Sequence, residues 1–180
     1  MNRAQAFIDI LLALALTILA GVVAGIVAQA TMGSIPFMLI LALQGVIILV
    51  GIDILLRLRG EGWADLRLRT PSSQHLLEGL QALAIAFAVN FVLNLLAHIL
   101  APSLIEGHQE RLTGVADILG DGLPLAGILL VMLFIGFYEE VLARGFLLRR
   151  CEILLGGVWG PVIISSILFG LGHMYQGLWG

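Results

Sequence analysis

A group of ionisable residues lies at the end of an apolar stretch in the second half of the sequence. Glu139, Glu140 and Arg144 follow the run GILLVMLFIGFY, and His173 follows a second apolar run. Glu140 and Arg144 are four residues apart, so on a helix they can form a charge-assisted pair, whereas Glu139 points about 100° away. Charged groups inside a membrane are costly and mark functional sites. A carboxylate placed like Glu139 suits a general base that activates water.

A simpler explanation is that both glutamates end a helix at the membrane surface, while Arg144, Arg149 and Arg150 reach lipid headgroups. However, a helix C-terminus favours cations, so local stability does not explain two adjacent acids there. His173 alone is typical of a hydrogen bond between helices, but convergence with Glu139 would make it part of a site. The two helices are consecutive and joined by a short arginine-bearing turn, which predicts antiparallel neighbours and leaves the depth of His173 open.

Together these residues resemble the first two motifs of the CPBP family, the CAAX-protease and bacteriocin-processing membrane proteins, also called the Abi family. The motifs are Glu139-Glu140-x-x-x-Arg144 and Phe169-x-x-x-His173. The combination of the two in successive apolar helices is much more specific than either half. The resemblance covers about residues 123–180. It implies an intramembrane endopeptidase that hydrolyses a peptide bond in a membrane-associated protein or peptide substrate.

The resemblance also implies roles for the residues. Glu139 would activate the hydrolytic water, His173 would help to hold that water, Glu140 with Arg144 would organise the site, and Phe169 would pack beside it. The family is often described as metalloproteases, and a glutamate mechanism without a metal is the alternative. If a metal such as zinc is used, Glu139 and His173 are its expected ligands.

One departure from the family pattern concerns a third motif, a histidine followed four residues later by asparagine or a similar residue, which supplies the oxyanion-stabilising part of the site. In this sequence His75, His98 and His108 are followed at that spacing by glycine, proline and leucine. We therefore expect a chain that is incomplete at its C-terminus. Loss of an oxyanion group costs on the order of 100-fold to 1,000-fold in rate, so the activity of the chain is an open question.

The composition defines the fold that must position these groups. Of the 180 residues, 60% are hydrophobic and 12% are charged, which is too little polar surface for a water-soluble globule. The expected fold is all-α, a multi-pass transmembrane bundle of about five helices that forms a single domain over residues 1–180. The apolar runs cover approximately residues 7–28, 37–56, 75–100, 123–150 and 158–173.

The cations of this sequence are all arginine, and their positions predict the orientation. Arg3, the connector after the second helix and the Arg149-Arg150 pair fall on one side, which places the N-terminus in the cytoplasm. The acid-rich connector after the third helix then lies outside and is expected to be a loop with a short interfacial helix. We expect a bacterial inner or plasma membrane, contact with the lipid bilayer, and no nucleic acid partner.

Two functions from other classes remain possible on the same residues. The first is a non-catalytic bacteriocin-immunity or membrane interaction protein, in which the charges stabilise the bundle or bind a partner. The second is a small ion or proton carrier that uses Glu139 and His173 as relay groups. The third motif would separate the first of these from a peptidase, and proton flux in vesicles would identify the second.

Overall fold

The computed structural model describes residues 1–31, 34–66, 68, 72–100, 102 and 122–173. This part of the chain contains helices and no strand, which confirms the all-α prediction. A short 3-10 turn, Trp63–Leu66, follows the second helix. The five helices are α1 (Arg3–Thr31), α2 (Phe37–Leu58), α3 (Ser73–Leu100), α4 (Leu125–Leu155) and α5 (Trp159–Leu171).

Helices α1 to α4 are each long and apolar enough to cross a membrane. Large hydrophobic side chains are exposed along all four of them, as expected where lipid replaces water as the solvent. Helix α5 has 13 residues, which span about 20 Å and fall short of the roughly 30 Å hydrocarbon core. The chain is an integral membrane protein, as its composition predicts.

The chain divides into two compact units. Residues Met1–Leu68 and Asp117–Gly172 form the first, which contains α1, α2, α4 and α5, whereas Arg69–Ala116 and His173–Gly180 form the second. In the second unit, α3 begins after Ser72, whose hydroxyl accepts a hydrogen bond from the His75 backbone N–H at 3.3 Å. This is the arrangement of a helix N-cap. The interfacial helix expected after α3 lies outside the described residues.

In the first unit, α2 packs against both α1 and α4, and the last turns of α4 pack against α1 and α5. Buried residues from α1, α2, α4 and the 3-10 turn form one core. Two of them are alanines, which let the helix backbones approach closely. The core consists of Ile10, Ala13, Ala20, Ile48, Ile52, Leu56, Leu66, Tyr138, Val141, Leu142, Phe146, Leu147 and Cys151.

One close contact fixes the register of α2 against α4. The Tyr138 ring lies over Gly45, where a Cβ atom would overlap it, and the neighbouring Phe134 ring is 5.9 Å away between centroids. A glycine is therefore required at this point in α2 to admit the aromatic ring. The contact also holds the residue immediately before Glu139.

The sequence predicts that α4 ends at the pair Arg149-Arg150, but the structure shows that it does not. It continues to Leu155, and the turn that follows is made by Gly156 and Gly157, whose φ angles of +70° and +68° favour glycine. Arg149 and Arg150 consequently lie within the helix, and the prediction of an arginine-bearing turn was wrong.

A buried ionic cluster joins the start of α1 to the last turns of α4. The Asp9 Oδ1 atom accepts hydrogen bonds from Arg59 Nε and Nη2 at 2.9 and 2.7 Å, and Oδ2 accepts one from Arg150 Nε at 3.1 Å. Arg150 Nη2 also donates to Glu61 Oε2 at 2.8 Å. We call Asp9, Arg59, Glu61, Arg149 and Arg150 the arginine cluster.

Asp9 and Arg150 are both fully buried, so Arg150 does not extend to lipid headgroups. The simpler explanation of the charges predicts that Arg150 reaches lipid headgroups, and for this arginine that prediction is wrong. Arg59 follows the end of α2 and lies outside the membrane-spanning segment. The hydrogen bond to Asp9 raises the pKa of its guanidinium, which stays protonated. The cluster thus holds three elements of the first unit together: α1, the connector after α2 and the last turns of α4.

Candidate active site

A pocket of about 430 Å³ opens between α4 and α5, within the first unit. Glu139, Glu140 and Arg144 line it from α4, and Phe169 lines it from α5. The structure therefore brings four of the five residues predicted from the sequence to one cavity. Its remaining lining residues are small, which leaves room for a ligand: Gly136, Ala143, Ser165, Ser166 and Gly170.

Glu139 takes its position from its neighbour in the chain. Tyr138 is 6% exposed and is held by Phe134 and Gly45, so one face of this helical turn is fixed in the core. The next residue lies about 100° further around the helix, which turns Glu139 out of the core and towards the pocket. Its side chain is half-buried there. A carboxylate on the wall of a partly closed cavity can reach both a water molecule and a bound chain.

The predicted pair between Glu140 and Arg144 is present. Arg144 Nη1 donates to both carboxylate oxygens of Glu140, at 2.8 and 2.6 Å. Both side chains are largely exposed, 74% for Arg144 and 47% for Glu140, so the pair faces the pocket mouth and not the core.

Arg144 lies in a π-helical segment, Val141–Leu147, that interrupts α4 directly after the two glutamates. Each hydrogen-bonded ring in a π-helix contains one residue more than in an α-helix, so the segment is wider and less stable than the helix around it. Such segments are rare and occur frequently at functional sites. The sequence pattern does not reveal this one, since its residues are ordinary helix formers apart from Gly145.

Two pocket residues were missed in the sequence analysis. Ser165 is 7% exposed and its hydroxyl donates to the Val162 carbonyl at 3.2 Å, while Ser166 is exposed at the cavity wall. Ser165 lies four residues before Phe169, so the two share a face of α5. This spacing, with two polar residues inside an apolar run, is the pattern that would have identified them.

His173 follows Leu171, the last residue of α5, by two positions and is half-buried. It belongs to the second compact unit, whereas Glu139, Glu140, Arg144 and Phe169 belong to the first. Convergence of His173 with Glu139 stays a prediction.

A metal site requires several ligands close together, typically three protein groups in a catalytic zinc site. Among the residues that the structure describes, no group of three or more His, Cys, Asp or Glu side chains is arranged to hold a metal ion. Glu139 and Glu140 alone do not make such a set, so no reaction step is assigned to a metal.

Comparison with known proteins gives one family. Residues 121–180 match the family model described as Rce1-like, type II CAAX prenyl endopeptidase Rce1-like. The match confirms the resemblance drawn from the two motifs, and it supports a CAAX-type membrane endopeptidase as the kind of protein. It covers the last third of the chain, including α4, α5 and all five predicted site residues. Searches of curated proteins and of solved structures give no significant match.

Proposed function

We propose, from the similarity of residues 121–180 to CAAX prenyl endopeptidases, that this chain hydrolyses a peptide bond in a membrane-associated substrate. The observation that carries the proposal is the pocket between α4 and α5, which collects Glu139, Glu140, Arg144 and Phe169. The similarity suggests the reaction, and the pocket provides a cavity in which it can occur.

In the proposed reaction, Glu139 removes a proton from a water molecule as its oxygen attacks the carbonyl carbon of the scissile bond. The tetrahedral intermediate collapses, the carbon–nitrogen bond breaks, and Glu139 returns the proton to the leaving amine. A single carboxylate can perform both transfers because the amine is more basic than the attacking water. His173 would hold the water, a role that is carried over from the family motif.

Glu140 and Arg144 would orient the substrate at the pocket mouth. Their exposed position suits contact with a polar chain terminus, and the guanidinium donates to both oxygens of Glu140 while it has further N–H groups for a substrate carbonyl or carboxylate. Phe169 provides an apolar wall for the substrate chain.

The test uses the full chain in lipid vesicles with a farnesylated CAAX peptide and its unprenylated counterpart. Product formation is followed by mass spectrometry. Loss of the general base in Glu139→Gln should lower the cleavage rate by about 10²-fold to 10⁴-fold. Glu78→Gln is the matched control, because Glu78 lies on α3 and accepts a hydrogen bond from Gln74 at 2.9 Å, away from the pocket residues in sequence.

Equal rates for Glu139→Gln and wild type would contradict the assigned base. A folded wild-type chain that cleaves neither peptide would contradict the peptidase proposal and favour the interaction protein on the same scaffold.

A further inference from the structure

Glycine lines the proposed active-site pocket from both of its helices. Gly136 lies on α4, three residues before Glu139 and four before Glu140, so it shares a face of the helix with both glutamates. Gly170 lies on α5, next to Phe169. Each helix therefore lacks a side chain at a position that lines the cavity of the proposed base.

Helix packing does not account for either glycine. Among the described residues, a Cβ atom on Gly136 or Gly170 would meet nothing within 4 Å, whereas one on Gly45 would overlap the Tyr138 ring. The backbone does not require them either, because both lie inside helices and neither has a positive φ angle. Glycine also weakens a helix relative to alanine. What these two glycines provide is space in the pocket.

This space suits an uncharged, apolar group. Ala143 and Phe169 line the same cavity and present carbon atoms to it. The two charged residues at the mouth, Glu140 and Arg144, bind each other at 2.8 and 2.6 Å. A charged ligand group would have to compete with that pair, whereas an apolar group is stabilised by leaving water and by contact with the Phe169 ring.

We propose that Gly136 and Gly170 determine which substrates the pocket accepts, because they leave room for a bulky apolar side chain of the substrate beside Glu139. The inference rests on the proposed peptidase function, which supplies the substrate. The two glycines are specificity-determining and not catalytic, since they offer no group that takes part in the reaction. A larger residue at either position would fill the space and exclude large substrate side chains, while small ones would still fit.

The experiment compares two farnesylated CAAX peptides that differ at one position, with either leucine or alanine after the cysteine. The ratio kcat/KM is measured for the full chain in lipid vesicles. Gly170→Val should lower it about 10-fold to 200-fold for the leucine peptide, the range for methylene-sized changes in an apolar pocket. The alanine peptide should stay close to its wild-type value. Gly136→Val should act in the same direction, and Gly170→Ala to a smaller degree.

Gly25→Val is the matched control for valine in a helix. Gly25 lies on α1 in the same unit, is exposed, and has nothing within 4 Å of an added Cβ atom, but it does not line this pocket. Both peptides should be cleaved by this variant at wild-type rates. An equal change in size preference in Gly25→Val and Gly170→Val would overturn the inference, because the effect would then not come from the pocket.

Thermal unfolding provides a readout that does not depend on activity. Gly136→Ala should keep or raise the unfolding midpoint, because alanine is the better helix former and its methyl group enters open space. A lower midpoint would show that Gly136 is needed for packing, and the specificity role would be wrong.

Peptide binding separates this inference from the peptidase proposal. Fluorescent forms of both peptides are titrated against Glu139→Gln, with and without Gly170→Val. Weaker binding of the leucine peptide alone would support the specificity role even if the wild-type chain cleaves neither peptide, a result that contradicts only the peptidase proposal.

Equal losses for the two peptides, or an unchanged size preference in a chain that cleaves them, would overturn the specificity role and leave the peptidase proposal standing. A wild-type chain that neither binds nor cleaves the peptides would overturn both. If Gly170→Val does not fold, Gly170→Ala decides the question, and an unchanged size preference in that variant would overturn the inference.

Discussion

Two arginines six residues apart on the same helix have opposite surroundings. Arg144 is 74% exposed and pairs with Glu140 at the pocket mouth, whereas Arg150 is fully buried and pairs with Asp9 and Glu61. An exposed ion pair contributes little to stability, because water and ions screen it and both side chains lose freedom. A buried ion pair also contributes little net stability, because the loss of water around both charges offsets their attraction. Removal of one partner is nevertheless costly, since it leaves a buried charge without a counter-charge.

The comparison separates the charges that hold the fold from those that need another explanation. The arginine cluster connects α1, the connector after α2 and the last turns of α4, so removal of one of its members should destabilise the first unit. Stability does not account for Glu140 and Arg144, which supports their assignment to the pocket's function. Substitutions at Asp9 and Arg144 test this division, and a substitution at Gly45 tests an apolar contact in the same unit.

The largest effect is expected at Asp9. Asp9→Asn removes the carboxylate that binds Arg59 and Arg150, so Arg59 loses its ion-pair partner and Arg150 keeps only Glu61. The free energy of unfolding should fall by about 3–5 kcal/mol, as for other broken buried pairs. The measurement is unfolding in detergent by circular dichroism.

Asp53→Asn is the control, because Asp53 also sits in a membrane-spanning helix but pairs with the exposed Arg57. Asp53 also accepts a hydrogen bond from the Trp63 indole N–H at 2.7 Å, which the amide oxygen of asparagine can still accept. It should unfold close to wild type. If the two variants lose the same stability, the distinction between buried and exposed pairs does not hold in this molecule.

A smaller loss is expected where α2 meets Tyr138. Gly45→Ala places a Cβ atom in overlap with the edge of the Tyr138 ring and should lower the unfolding free energy by about 1–3 kcal/mol, the usual cost of overpacking. Gly25→Ala is the matched control, since a Cβ there meets nothing within 4 Å, and it should be neutral or slightly stabilising.

Because Tyr138 precedes Glu139, Gly45→Ala should also lower cleavage by displacing the proposed base. Full activity in a destabilised Gly45→Ala protein would show that the pocket wall does not depend on this contact.

The sequence was sufficient to predict the helices and one side of the pocket. Long apolar runs are recognisable without tertiary information, and the pair Glu140–Arg144 follows from helical spacing alone. Phe169 was placed by its motif. These features depend on local geometry or on a short pattern, so no knowledge of helix packing was needed.

The arginine cluster could not be predicted in the same way. Its partners are distant in sequence, with Asp9 and Arg150 on opposite ends of the chain, and pairing at that separation depends on which helices become neighbours. The turn after α4 was misplaced for the same reason: two adjacent arginines look like a helix end when their buried partners are unknown. An aspartate inside the first apolar helix was the one local indication of such a partner.

The smallest effect on stability, and the sharpest test of the comparison, is expected at Arg144. Arg144→Gln breaks an exposed pair and should change the unfolding free energy by less than about 1 kcal/mol. Cleavage of a CAAX peptide should nevertheless fall about 100-fold, because a misplaced substrate loses that much rate. The double variant Glu140→Arg, Arg144→Glu keeps an ion pair with reversed polarity. Recovered activity would show that the pair acts by keeping the local geometry, whereas continued loss would assign Arg144 to substrate contact. If Arg144→Gln instead loses as much stability as Asp9→Asn, both Arg144 and Arg150 hold the fold. A small contribution to stability would then no longer support a functional role for the Glu140–Arg144 pair.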